Sequence, residues 1–503
     1  MKKVYTRITR QIGFSYLSTI LLFLISPVLV ILLTRNLSVA QYGIYSILAV
    51  TVNVAGVLLD LGLSQYIISR LAGIRPKQRA KTFFTLSTFL MIFLVVVFAI
   101  ILFTPLEGVL LGWLKLREYV PEFRIGLAII LCVTLIRLFT SYLTAKKHMI
   151  TVNLIGLLSQ SLWVLLLAGT FAITRELSLL SVMMWWFIGA LITLLACGFM
   201  IRREFSHVHE KTTWNPRVIV EGLIFSLPLL VFVTGSWTIE IGNRYLLNGM
   251  LGSEAVGLFT LIYCLLGVIA QLGAVVAQTF FPYIASAWNQ RKNYQLYLNA
   301  SAKYSLMIII PSMAGFIALR KEIVTLVSGA QYLGAANIIP WLLVYPLLSL
   351  LNYLLYQIIL LRKRTVLIGV TYAIGAVLNI ALNLLLIPKF GITGSAIATV
   401  VSYAFVFVVL AWDSRKSVNI NYSFLKIGRI LFAAAVMGIV VWLMHPTTAP
   451  FKILTMLGGA VLYFIILFAT RTFSAQEFSL SLSILPKTLQ KAVYVIIRPE
   501  PKK

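Results

Sequence analysis

Charge is scarce in this sequence. Only 11% of its 503 residues are Asp, Glu, Lys or Arg, against roughly 25% in an ordinary globular chain, and the mean hydropathy is +0.97. No stretch is polar enough to form an independent soluble domain, which excludes a string of such domains and leaves an integral membrane protein. Cysteine is also rare. Cys132, Cys197 and Cys264 sit far apart inside apolar blocks, without metal-like spacing, and read as small packing residues. No Gly is followed by Lys, so the chain has no phosphate-binding loop and is not a nucleotide-driven transporter. The four histidines, His148, His207, His209 and His445, fall at helix ends or in loops and supply no general base within the membrane. HVHE, His207 to Glu210, looks like a metal motif but lies in a charged connector without a third ligand. No metal, cofactor or catalytic residue is therefore expected.

What the chain does have is apolar runs of about the 20 residues needed to cross a bilayer, repeated from end to end. Windows of hydropathy give about fourteen candidate spans: 12–33, 42–69, 82–104, 124–145, 151–174, 178–200, 218–247, 255–286, 303–320, 336–361, 365–387, 391–412, 424–445 and 452–470. Helices are expected, because hydrocarbon cannot satisfy free backbone groups and the runs lack the alternation of barrel strands. MKKVYTRITR resembles the basic start of a signal peptide, but the apolar run after it is too long and lacks a small-residue cleavage site, so it reads as a retained first helix.

The 42 Lys and Arg are distributed unevenly. Only Arg35, Lys115, Arg117, Arg124, Arg175, Arg320, Lys321, Lys389 and Lys452 fall in one set of alternate gaps; nearly all the others fall in the opposite set, which includes both termini. The positive-inside rule then places both termini in the cytoplasm. Most of the +28 net charge follows from this topology. The basic loops are suited to anionic membrane lipids, and nucleic acid is not required as a partner.

The chain also repeats. LSVAQYGIY, Leu37 to Tyr45, and LGSEAVGLF, Leu251 to Phe259, superpose at a shift of 214 residues, aligning Gly43 with Gly257 and Tyr45 with Phe259. The shift equals six hydropathy blocks. The expected organisation is an all-α polytopic membrane protein of two six-helix bundles in parallel repeat plus two C-terminal helices. Its parts are an N-terminal bundle over 1–200, a cytoplasmic linker over 201–217, a C-terminal bundle over 218–412, the added helices over 424–470 and a cytoplasmic amphipathic tail over 471–503.

The stretch IPKFGITGSAIATVVSY, Ile387 to Tyr403, is rich in small residues. Lipid gives little hydrophobic force between helices, and Gly394, Ser395, Ala396, Ala398 and Thr399 allow close backbone approach, with Pro388 and Gly391 forming a turn before them. NIALNLLLIPKFGITGSAIATVVSY also resembles a C-terminal signature of the polysaccharide biosynthesis exporters. These are the Wzx-type flippases of lipid-linked oligosaccharides, in the superfamily (MOP) that also contains MATE drug antiporters and lipid II flippases. LLTRNLSVAQYGIYSILAV and DLGLSQYIISRLAG resemble the family's N-terminal signatures, and NRYLLNGMLGSEAVGLFTLIY its mid-chain one. The resemblance implies alternating access, with helices one, two, seven and eight lining a cavity, cationic residues receiving the pyrophosphate, and an ion gradient as drive. Its partners would be an undecaprenyl-pyrophosphate-linked oligosaccharide and a polysaccharide polymerase complex.

Charges inside spanning helices cost on the order of 2.5 to 3.5 kcal/mol each on insertion scales and require an account. Asp60, Arg137, Glu240 and Arg244 stand out. Asp60 and Arg137 lie on helices of the same direction at similar depth, and Glu240 and Arg244 are four apart on one face. Both pairs can be structural glue. Alternatively, Arg137 and Arg244 offer forked donors to phosphate, while Asp60 and Glu240 position them or bind a coupling cation. Related chains carry an acid directly before the arginine of helix seven; here Asn243 takes that place. Gln271 and Gln278, seven apart in helix eight, can hydrogen-bond sugar hydroxyls or neighbouring helices. A glycan polymerase or ligase would need a large outer loop, and the longest outer gap, Pro105 to Phe123, has few acids, so no enzyme is expected. The expected function is therefore a flippase of the bacterial inner membrane serving O-antigen, capsule or exopolysaccharide assembly. The alternatives are a cation-coupled MATE-type exporter, a lipid II flippase and a non-transporting scaffold.

Overall fold

The computed structural model describes residues 24–71, 76–205, 215–415 and 424–470, with positions 14, 18, 21, 22, 417 and 472 besides. The HVHE motif and the amphipathic tail segment lie outside the described residues. Every regular element among the described residues is helical. Eleven helices are long and apolar enough to cross a membrane, and Leu24–Asn36 and Ile427–Leu443 are shorter apolar helices. The chain is a multi-pass membrane protein. Its side chains show this inversion directly: on the span Gln78–Phe103, Met91, Ile92 and Val95 are each more than half exposed, a surface that only lipid accommodates.

In chain order the elements are α1 (Leu24–Asn36), α2 (Val39–Leu58), α3 (Leu63–Leu71), α4 (Pro76–Phe103), α5 (Leu106–Trp113), α6 (Val120–Ala145), α7 (Met149–Thr174) and α8 (Leu179–Phe205). Next come α9 (Pro216–Trp237), a π-turn (Thr238–Gly242), α10 (Asn243–Leu251), α11 (Ser253–Asn289), α12 (Gln295–Ala318) and α13 (Arg320–Ser328). A 3-10 segment (Ala330–Asn337) leads to α14 (Ile339–Leu342), α15 (Tyr345–Leu361), α16 (Thr365–Phe390), α17 (Ile392–Ser414), α18 (Phe424–Leu443) and α19 (Ala449–Ala469).

Two of the broken sequence blocks bear on the site. Block 42–69 splits at a turn where Leu61 and Gly62 have φ of 50° and 69°, a conformation natural to glycine. Block 218–247 is interrupted by the π-turn, a wider coil typical of functional positions. Pro388 also differs from expectation. It lies inside α16, which runs on to Phe390, so the turn starts at Gly391; near a helix end a proline forfeits one hydrogen bond without ending the coil.

The chain divides into two compact units. The first draws on Met1–Cys264, Val327–Leu342 and Lys363–Leu410. Within it α6 packs on α2, α3, α7 and α8, and α9 with the π-turn packs on α16. The small residues of α17 behave as close-packing theory requires: Ser395, Ala396, Ala398 and Thr399 are fully buried, and Thr399 Oγ1 accepts from Asn243 Nδ2 at 3.2 Å. The second unit draws on Leu265–Leu326, Leu343–Arg362 and Ala411–Lys503. Its core joins Met307, Met437, Val441, Tyr463 and Leu467, and Tyr463 Oη donates to Met307 O at 3.0 Å. Arg362 pairs with Asp413 at 2.8 Å in the same unit.

Candidate functional site

A cavity of about 510 Å³ opens within the first unit. Residues of α1, α2, α6, α7 and α8 line it, among them Tyr45, Asn53, Arg137, Gln160, Trp163 and Trp186. Arg137 reaches it from α6 because Val133 and Thr140, about one turn to either side of it, line the same cavity. No carboxylate among the described residues lines the cavity. Among the described residues the Arg137 side chain makes no hydrogen bond or ion pair, though Asp60 lies within electrostatic range.

Asp60 does different work. It is 5% exposed, and its carboxylate accepts from Ser64 N at 3.3 Å and Ser64 Oγ at 2.8 Å. At the start of α3 Leu63 N donates to Asp60 O and Gln65 N to Gly62 O, while the Asp60 carboxylate takes the Ser64 amide between them and complements the helix dipole. A side chain that caps a broken helix is a sufficient reason for a charge at this depth.

Glu240 and Arg244 form no direct ion pair. Tyr403 Oη donates to Glu240 Oε1 at 3.4 Å, while Arg244, 6% exposed, donates from Nε to Thr260 Oγ1 at 3.1 Å and lies 5.5 Å from the Tyr263 ring. Thr260 Oγ1 also meets Ser46 Oγ at 2.8 Å. Gln271 and Gln278 belong to the second unit, and both are exposed on α11.

Arg244 thus belongs to a packed end of the first unit. A Cβ on Gly43 would collide with the Ser253 carbonyl, and one on Gly257 would collide with the Val39 carbonyl. Ser253 follows Val39, and Gly257 follows Gly43, by the same 214 residues that separate Ser46 from Thr260. A contact in which i meets j′ while i′ meets j is the signature of a two-fold axis. The sequence repeat therefore meets itself across α2 and the start of α11. Further bonds close the same end: Lys115 Nζ to Gly249 O at 2.7 Å, Arg35 Nε to Val327 O at 3.2 Å and Gln331 Nε2 to Thr34 O at 2.8 Å.

Sequence reasoning missed Ser46 and Thr260, although carrying the repeat alignment one residue beyond Tyr45 and Phe259 reaches them. It also missed Trp163, Trp186 and Gln160. The available signal was tryptophan deep in apolar runs, where the residue normally prefers helix ends.

Broken helices, polar side chains at membrane depth and a repeat closing on itself mark a membrane carrier fold. Among solved structures, the lipid II flippase MurJ in an inward closed conformation is similar, with a TM-score of 0.74, 18% identity, and coverage of 90% of this chain and 98% of that one. An inward-facing multidrug resistance MATE family transporter of the MOP superfamily gives 0.61, 14%, 78% and 94%. Residues 8–288 match the family described as polysaccharide biosynthesis protein, and the chain belongs to that family. Two curated proteins are similar over part of their length. The "Probable low-salt glycan biosynthesis flippase Agl15" of Haloferax volcanii is 25% identical over 184 residues, 36% of this chain and 39% of that protein. The "Uncharacterized membrane protein MJ1068" of Methanocaldococcus jannaschii is 23% identical over 234 residues, 45% and 46%. The matches thus span less than half of these relatives.

Proposed function

We propose that the protein is a flippase that moves a lipid-linked saccharide, joined through a diphosphate, across the cell's inner membrane by alternating access. The observation that supports this most is the cavity with an arginine and, among the described residues, no carboxylate in its lining. A guanidinium whose donors make no hydrogen bond or ion pair among the described residues is matched to a diphosphate, whose oxygens accept its forked donors. An exporter of organic cations would place acids there instead, so the MATE-type reading is disfavoured. A lipid II flippase shares the chemistry and differs in its glycan.

In this reading the closed end around Gly43 and Gly257 is one gate. Arg244 holds that gate, Arg137 receives the diphosphate, and Asp60 positions the half-helix beside it. Gln271 and Gln278, exposed on α11, would meet the glycan when the path is open, with both termini in the cytoplasm and basic turns such as Arg362 to Arg364 against anionic headgroups. The test is complementation of a deletion strain. Arg137→Ala should abolish surface glycan while membrane levels of the protein stay unchanged, and retained glycan at those levels refutes the reading.

A further inference from the structure

The same cavity has a second wall that a phosphate does not explain. Trp163 and Trp186 stack with centroids 5.4 Å apart and planes at 20°, and Tyr45 flanks Trp186 at 6.3 Å. Gln160, on the turn before Trp163, is exposed and lines the cavity with them. Among the described residues none of the Gln160 amide, the two indole N–H groups or the Tyr45 hydroxyl has a hydrogen-bond partner, and none is a sealed unpaired atom of the packing. Trp163 and Trp186 are 5% and 9% exposed, and with Tyr45 and Gln160 they border the cavity. If this were ordinary lipid-depth core, Leu or Phe would fill the space without leaving donors unspent, and unpaired polar groups at this depth are costly.

We infer that Trp163, Trp186 and Gln160 form a saccharide-binding wall, which takes the first hexose or hexosamine ring next to the diphosphate held by Arg137. The inference rests on the flippase reading for the position of the diphosphate. A sugar ring has apolar C–H faces that lie on aromatic rings and a rim of hydroxyls that accept from amides and indoles, and this wall offers both. The spacing fits. α6 ends and α7 begins at the same membrane side, joined by Lys146 to His148. At about 1.5 Å per residue, Arg137 stands roughly 12 Å from that side, Gln160 roughly 16 Å and Trp163 roughly 21 Å. Arg137, Gln160 and Trp163 therefore follow one another in that order of depth along the cavity. The cavity volume of about 510 Å³ lies within the usual range for small-ligand sites.

The test uses full-length protein in nanodiscs and two probes: undecaprenyl diphosphate, and the same lipid carrying one N-acetylglucosamine. Trp163→Leu and Gln160→Leu should each weaken the glycosylated lipid about fivefold to tenfold and leave undecaprenyl diphosphate unchanged, while Trp163→Phe should keep most of the affinity. Equal weakening of both lipids, or no change in either, overturns the wall. If Trp163→Leu does not fold, Gln160→Leu at its exposed position decides alone. Arg137→Ala separates the two claims. It should weaken both probes; if it changes neither while the wall variants still discriminate, the diphosphate assignment falls and the wall stands.

Discussion

Ser46 and Thr260 stand at the same place in the two sequence repeats, 214 residues apart, and their hydroxyls meet at 2.8 Å. Repeat-related residues touch each other only near the axis that relates the repeats, so this bond marks where the two copies close on one another. Arg244 fastens it on one side alone by donating to Thr260.

Cysteines at Ser46 and Thr260 should therefore crosslink readily in the closed form. Adding Gly43→Ala inserts a methyl into the Ser253 carbonyl and should cut the crosslinking rate about tenfold, because tight interiors accept no extra carbon without moving. Gly257→Ala should act alike, by the reciprocal contact. Measured rates that ignore both substitutions remove the gate.

Arg244→Ala leaves Thr260 without its charged donor and empties a buried volume. A loss of about 1 to 3 kcal/mol of closed-state stability is expected, read as a lower melting temperature in detergent. Thr260→Val should lose less, and the double variant should fall short of the sum because both act on one bond.

At Asp60 the expected order is set by capping. Asp60→Ala should cost about 1 kcal/mol, and Asp60→Asn, which keeps an acceptor for the Ser64 amide, only part of that. Thermal shifts of the two variants decide it. Equal losses would mean that the charge matters and the cap does not.

Outside the spans, Glu107 on α5 is held to Arg124 at 2.8 Å. The hydrogen bond from Arg124 keeps the Glu107 carboxyl below the ordinary glutamate value. Its contribution is therefore present above the unfolded pKa and disappears as pH falls through the lower folded value. With the Arg124 side chain 58% exposed, the pair is worth little. Wild type and Glu107→Gln should differ slightly in melting temperature at neutral pH and converge in acid.

The sequence disclosed the membrane fold because hydropathy over about 20 residues is a property of the solvent rather than of any one neighbour. The contact of Gly43 and Gly257 was foreshadowed by their alignment, since a repeat implies an axis. The capping role of Asp60 was hidden, because it depends on a helix break at Gly62 inside an unbroken apolar run. The failure of Glu240 to pair with Arg244 was hidden for a similar reason: each found a partner on another helix, Tyr403 and Thr260. The stacking of Trp163 on Trp186 was hidden although each tryptophan stands out within its apolar run, because it depends on how α7 packs on α8.

The most direct measurement is translocation in proteoliposomes. A labelled polyprenyl-diphosphate saccharide should reach the far leaflet with wild-type protein and about tenfold or more slowly with Arg137→Ala, at equal incorporation. Transfer at the same rate in both, or transport of an organic cation in place of the lipid-linked sugar, would contradict the account.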